Sequence, residues 1–383
     1  MSRNFAALLA VGLLFGASVG IYDFALPYFL DAHGVSVPKM GLVYAVSAIL
    51  LVVVRVYAGH LSDVVGRKTM YSVSLALTAF VSAATPLTAA LWFQTLLKSA
   101  REGSTAVFDS MYQLALHDED RSKYVDRVGK TRGFQSVAEA FATFGTGFLL
   151  ARQAYAGSFA ASAAVLLIGV VIFLFAYCPR PSNSTTPRRS PSLREVLAFD
   201  LPAPLVVLTL SSFIFTVGLS ISHCFVMQLF WARRFGVSTP VTGTILMLHR
   251  FTIALPLLLV GWVVKKPLKS VFIAFLILEG LSLTASGLIP RFLPATVVWL
   301  AHDLIGAGVW VPIQSAFIQK YSREDRRGRD VSKVLALGSL GWIFGPLLAG
   351  GIFDRWYGGP FVLSGAIMIL SALVLFALKD HDR

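Results

Sequence analysis

The chain has 383 residues, 56% of them hydrophobic and only 14% charged, whereas a soluble domain spends about a quarter of its residues on charge. That balance excludes an ordinary soluble enzyme. The formal net charge of +13 fits either a nucleic-acid binder or a membrane protein with cationic loops, and where the charges sit decides between them.

Apolar runs recur along the chain and predict twelve membrane-spanning helices, at residues 5–31, 39–59, 69–87, 89–116, 132–155, 157–178, 202–232, 239–263, 270–289, 294–320, 331–355 and 358–378. At about 20 residues per crossing, these leave short loops and no room for a separate soluble domain. The first run carries Asp23 and Pro27 and has no small-x-small cleavage site, so it reads as a helix rather than a signal peptide. Of the 33 Lys and Arg, 23 fall in segments on the same side as the N-terminus. The positive-inside rule then puts both termini in the cytoplasm. Because the cations are dispersed over seven such segments, nucleic acid is not an expected partner. Between spans six and seven, Pro179 to Glu195 reads PRPSNSTTPRRSPSLRE, a polar, proline-rich linker. The expected organisation is a six-helix bundle at 1–178, a cytoplasmic linker at 179–198 and a second six-helix bundle at 199–383. With two cysteines, Cys178 and Cys224, neither a disulfide framework nor a cysteine-based zinc site is on offer.

The two halves repeat each other. Gly34-Val35-Ser36-Val37-Pro38-Lys39-Met40-Gly41 before span two matches Gly236-Val237-Ser238-Thr239-Pro240-Val241-Thr242-Gly243 before span eight, at an offset of 202. The same offset carries Gly59 onto Gly261, and Glu119-Asp120-Arg121 recurs as Glu324-Asp325-Arg326. Six is even, so both copies enter the bilayer from the same side. The prediction is a pair of parallel repeats about a pseudo-two-fold axis along the membrane normal, with a site between the halves suited to alternating access.

The loop after span two reads Gly59-His60-Leu61-Ser62-Asp63-Val64-Val65-Gly66-Arg67-Lys68. It resembles the G-x-L-x-D-x-x-G-R-K signature of the major facilitator superfamily, in its place between helices 2 and 3. The resemblance implies an all-α polytopic fold of two six-helix bundles that rock about a central cavity. It also implies that Gly59 permits close helix packing and that Asp63 and Arg67, with Gly66 between them, form a cytoplasmic latch made in one state and released in the other. A basic turn that merely obeys the positive-inside rule has the same composition. In span eleven, Gly341-Trp342-Ile343-Phe344-Gly345-Pro346 is similar to the G-x-x-x-G-P motif of the superfamily's exporters. Exporters carry it in helix 5, where this chain has Gly145 and Gly147 but no Gly-Pro pair. Small residues at that spacing also serve close helix packing.

Six acids lie within spans: Asp23, Glu102, Asp109, Glu139, Glu279 and Asp303. Each costs about 2.5–3.5 kcal/mol or more at mid-bilayer, so each is expected to face a cavity or a partner. Asp23 follows Gly12, Gly16 and Gly20 and precedes Pro27, a pattern suited to a cavity wall or a proton site. Lys98 and Glu102 are four apart on span four and can pair, with Arg101 adjacent. Glu139, the pair His249-Arg250 and Asp303 beside His302 complete the candidate substrate and proton-coupling set. His249-Arg250 can bind an anionic group or pair with an acid of span seven or ten. His223 and Cys224, with Asp23, form a candidate divalent-metal set that resembles ferroportin-like members of the superfamily. Adjacent residues on a helix point about 100° apart, so both can ligate only where the helix is unwound.

The expected function is secondary active transport of a small molecule by a monomer in the cell membrane, read as a prokaryotic plasma membrane. Coupling to a proton gradient, in an efflux-type antiporter, is the first expectation. The alternative is export of a divalent, iron-like metal ion. A membrane-embedded enzyme finds no H-E-x-x-H, G-x-S-x-G or G-x-G-x-x-G motif. No cofactor is expected, and the lack of a P-loop points to an ion gradient rather than ATP.

Overall fold

The structure, a computed structural model, describes residues 2–119, 124–178, 200–263, 269–324 and 327–379. Within the described residues the backbone is helical and no strand occurs. Apolar runs in lipid must bond every backbone N–H and C=O internally, and the helix does so within one segment. The helices are α1 (Arg3–Ala32), α2 (Val37–Val65), α3 (Arg67–Ala84), α4 (Leu91–Glu119), α5 (Tyr124–Ala151), α6 (Tyr155–Ala176), α7 (Ala203–His223), α8 (Val226–Phe235), α9 (Thr239–Val263), α10 (Lys269–Leu288), α11 (Phe292–His302), α12 (Gly308–Tyr321), α13 (Arg327–Ser339), α14 (Gly341–Ile352) and α15 (Gly359–Val374). Eight helical segments among the described residues are long and apolar enough to cross a bilayer. Those of α4 and α5 fall outside that set because they carry Lys98, Arg101, Glu102 and Asp109, or Arg127, Lys130, Arg132 and Glu139.

Three expected spans are not continuous α-helices. The seventh breaks at Cys224, whose ψ of −142° stops α7, and resumes as α8. The tenth passes through a π-helical turn, Asp303–Ala307, between α11 and α12. The eleventh is divided between α13 and α14 at Leu340.

The chain forms two compact units, residues 1–36, 46–192 and 238–250 in the first and 37–45, 193–237 and 251–383 in the second. In the first unit α1 packs on α5 and α6, and α3 packs on α4 and α6. In the second, α7 packs on α13, α14 and α15, and α10 packs on α11 and α15. The partner order is the same, which is what a parallel duplication produces.

Small residues set the approach of these helices. A Cβ on Gly16 or Gly20 would stand 2.3 or 2.4 Å from a backbone oxygen of α5, so that face of α1 seats on a neighbour and does not line an open cavity. In the second unit Gly341 and Gly345 lie against α7, with a Cβ on Gly345 only 1.8 Å from Ser220 Oγ. The exporter-like motif of span eleven therefore packs helices. Gly66, at φ +90°, makes the one-residue joint between α2 and α3 that an L side chain rarely allows.

A further repeat is legible only in three dimensions. Lys68, at the start of α3, donates to Leu174 O (2.9 Å) and Tyr177 O (2.8 Å) at the end of α6. Lys269, at the start of α10, donates to Phe376 O (2.9 Å) and Leu378 O (2.6 Å) after α15. Each ammonium closes carbonyls that a helix end leaves unbonded.

Candidate functional site

In the first unit the polar side chains gather on α4. Lys98 is almost wholly buried, its side chain 4% exposed. It pairs with Asp23 Oδ1 of α1 at 3.4 Å and with Glu102 one turn along its own helix. Arg101 turns to a different set. Its Nη1 donates to Ser82 Oγ (2.7 Å), its Nη2 to Ser18 O (3.3 Å), and its guanidinium lies 3.8 Å from the Tyr22 ring centroid. Ser18 Oγ bonds Ser162 Oγ at 2.7 Å, so Arg101 joins α1, α3 and α6. Burying these cations is tolerable because carboxylates, hydroxyls and a ring face replace lost water. Asp23 is the open member, with 41% of its side chain exposed. Of the three side chains it is the most accessible to a proton or solute.

Glu139 of α5 pairs with Arg250 of α9 at 2.5 Å, its side chain 12% exposed. The sequence left Arg250 two roles, binding an anionic group or pairing with an acid of span seven or ten. The observed partner lies in span five, because residues 238–250 belong to the first unit. His249 is buried beside it on α9. Asp109 pairs with Arg132 at 3.0 Å and with Arg55 at 3.8 Å.

In the second unit the break in span seven frees His223 from regular helix geometry. Its Nε2 lies 3.1 Å from Nε2 of His302, the last residue of α11. His302 Nε2 is in turn 3.3 Å from Asp303 Oδ1, at the first position of the π turn. Thr252 Oγ1 donates to Asp303 Oδ2 at 3.2 Å. Cys224 is buried and donates its thiol to Ile221 O at 3.7 Å, away from the imidazoles. Glu279 of α10 is fully buried, and neither of its carboxyl oxygens has a hydrogen-bond partner among the described residues. It abuts the π turn, since a Cβ on Gly306 would stand 2.7 Å from Glu279 Oε2.

The predicted latch falls partly outside the described residues: this holds for Gly59 and for the side chains of Asp63 and Arg67. What sequence reasoning missed is the second-unit cluster as a cluster. The signal was present in the repeat: Ser18 and Ser162 recur as Ser220 and Ser364 at the offset of 202, and Arg101 recurs as Asp303. Both units thus hold a buried charge at one register, cationic in the first and anionic in the second.

Two helical units of one plan, helices built to cross a bilayer and charged side chains held inside them define a polytopic membrane transporter. A profile of the Major Facilitator Superfamily matches residues 8–266 and 208–383. The chain belongs to that superfamily, and is accordingly a transporter and not an enzyme. It is 24% identical over 408 aligned residues to Multidrug resistance protein 2 of Bacillus subtilis (strain 168), covering 100% of this chain and 95% of the relative. The fold is similar to the nucleoside transporter NupG, with a TM-score of 0.80, 13% identity and 99% of each chain covered. It is also similar to the inward-open xylose transporter XylE from E. coli, with a TM-score of 0.75, 13% identity, and 98% of this chain and 96% of the other covered.

Proposed function

We propose that the chain is a proton-coupled antiporter that expels small organic compounds across a prokaryotic plasma membrane, working as a monomer with both termini in the cytoplasm. The observation that carries this reading is Lys98 held between Asp23 and Glu102, with Asp23 the more open of the two carboxylates. An ammonium shared by two carboxylates inside a membrane protein is a charge balance that one proton alters. Protonating Asp23 weakens its hold on Lys98, and a substrate group that competes for either charge favours the return of the proton. Glu139 and Arg250 form a second such pair in the same unit. Efflux and organic substrates draw support from the relative named for multidrug resistance. Arg101 holds α1, α3 and α6 in place around Tyr22 and acts through position.

The test uses inside-out vesicles containing the full chain and a panel of amphiphilic cations, organic acids and sugars. Imposing an inward-acid gradient should drive accumulation of at least one compound. Collapsing the gradient should abolish it, and Asp23→Asn should lower it about a hundredfold or more, the lower end of what one general acid–base group contributes. Accumulation unaffected by both changes would refute coupling through Asp23. Export of a divalent metal through Asp23, His223 and Cys224 has less support, since the Cys224 thiol is spent on a carbonyl of its own helix.

A further inference from the structure

The second unit carries a group of side chains that the transport reading does not use. His302 Nδ1 contacts Trp299 O. A carbonyl only accepts, so Nδ1 carries a proton, and Nε2 is the nitrogen turned toward His223 and Asp303. The tautomer of His223 follows from a chain of hydroxyls. Ser364 Oγ gives its one proton to Gly218 O at 2.7 Å. In its 2.9 Å contact with Ser222 Oγ, Ser364 is then the acceptor and Ser222 the donor. Ser222 Oγ, its proton spent, accepts from His223 Nδ1–H at 2.8 Å. His223 Nε2 is then the nitrogen turned toward His302.

The two imidazole Nε2 atoms lie 3.1 Å apart, with Asp303 Oδ1 3.3 Å from that of His302. The ligand atoms of all three residues lie within 4.8 Å of one another. Two imidazole nitrogens and a carboxylate oxygen that converge in a protein interior are held together by a shared proton or by a cation among them. Ligands about 2.0–2.1 Å from a tetrahedral ion stand about 3.3–3.4 Å apart; the His302–Asp303 separation falls at that distance and the His223–His302 separation lies slightly inside it. The outer contacts have the form that metal sites use: each imidazole donates its other N–H to an oxygen, and Thr252 holds the far carboxylate oxygen.

We propose that His223, His302 and Asp303 bind a divalent first-row transition-metal ion, of the borderline-soft class that imidazole and carboxylate together suit. The ion ties the break in span seven to the π turn of span ten, two irregular segments that regular helix bonding does not lock. Glu279 abuts that turn and adds a second carboxyl group to the same region. His223 is only partly buried and is the side from which an ion enters.

The test is metal binding by the full chain in detergent, stripped with chelator and then loaded with Zn²⁺ or Co²⁺ alone. The expected result is one ion per chain after desalting, a Co²⁺ visible spectrum of low-symmetry nitrogen and oxygen ligation, and a rise in unfolding temperature with Zn²⁺. His223→Ala and His302→Ala should each lose the ion on desalting. Ser222→Ala, which leaves all three ligands, should weaken binding about tenfold. Cys224→Ala should retain it. Absence of any bound ion in the unmutated protein would overturn the proposal and assign the cluster to a shared proton. An ion that survives both histidine changes, or one lost with Cys224, would overturn it as well. The assay needs neither gradient nor organic substrate, so its failure leaves the transport reading standing.

Discussion

At the scale of single residues, the balance is between buried charge and what replaces its water. Arg101 is 2% exposed and spreads five donors over Ser18, Ser82 and the Tyr22 face. Lysine keeps the charge but not the planar, multidirectional bonding. Arg101→Lys should therefore destabilise the purified protein by about 1.5–3 kcal/mol, the worth of a charge-assisted hydrogen bond, nearly as far as Arg101→Gln. Thermal unfolding in detergent reads this, and an unchanged midpoint for the lysine variant would contradict it. Asp330, at the start of α13, offers a pH test. Side-chain hydrogen bonds from Arg323, at 2.6 and 3.0 Å, hold its carboxyl below the usual carboxylate range. A carboxyl lowered on folding stabilises fully above its unfolded value of about 3.9, and that contribution disappears as pH falls through the lowered folded value. The unfolding midpoint should thus drop on acidification below about pH 4. Asp330→Asn should lower the midpoint at neutral pH and flatten that acid limb. Sequence gave the residue types at these places but not their partners: spacing along α4 announces Lys98 with Glu102, while nothing local announces that Arg101 reaches α1 and α3.

At the scale of elements, apolar run length and the alternation of cationic loops made the helices legible, because lipid permits little else. The irregular segments were not legible. Cys224 stops α7 and Asp303 opens a π turn, yet no proline lies within eight residues of either, so no local breaker announces the change of backbone. π turns of this kind are frequent at functional sites. Glu279 was likewise undervalued from sequence. Its isolation depends on Gly306 of another element, and position in span nine alone suggests a peripheral place. Glycine spacing in span eleven supported two readings, and the contact with α7 selects packing. Gly345→Leu should consequently fail to yield monodisperse protein, because its Cβ alone would stand 1.8 Å from Ser220 Oγ. Gly351→Ala, with nothing within 4 Å of a Cβ, should express and unfold like the parent. Equal behaviour of the two variants would remove close packing as the reason for the motif.

At the scale of the whole molecule, the duplication read from Gly34–Gly41 and Gly236–Gly243 is matched by the helix partners and by the lysine pair Lys68 and Lys269. The two copies have diverged where charge is buried, Arg101 in one and Asp303 in the other, so the units share a plan but not a chemistry. Ion pairs open to solvent at one member, Asp23 with Lys98, suit exchange of a proton for a solute. The most direct measurement is proton movement itself. Proteoliposomes holding the full chain and an interior pH dye should show substrate-induced proton flux in the absence of any imposed gradient, and Asp23→Asn should abolish that flux while substrate still raises the unfolding temperature. Substrate transport without proton movement in the unmutated protein, or flux that persists in Asp23→Asn, would contradict the account.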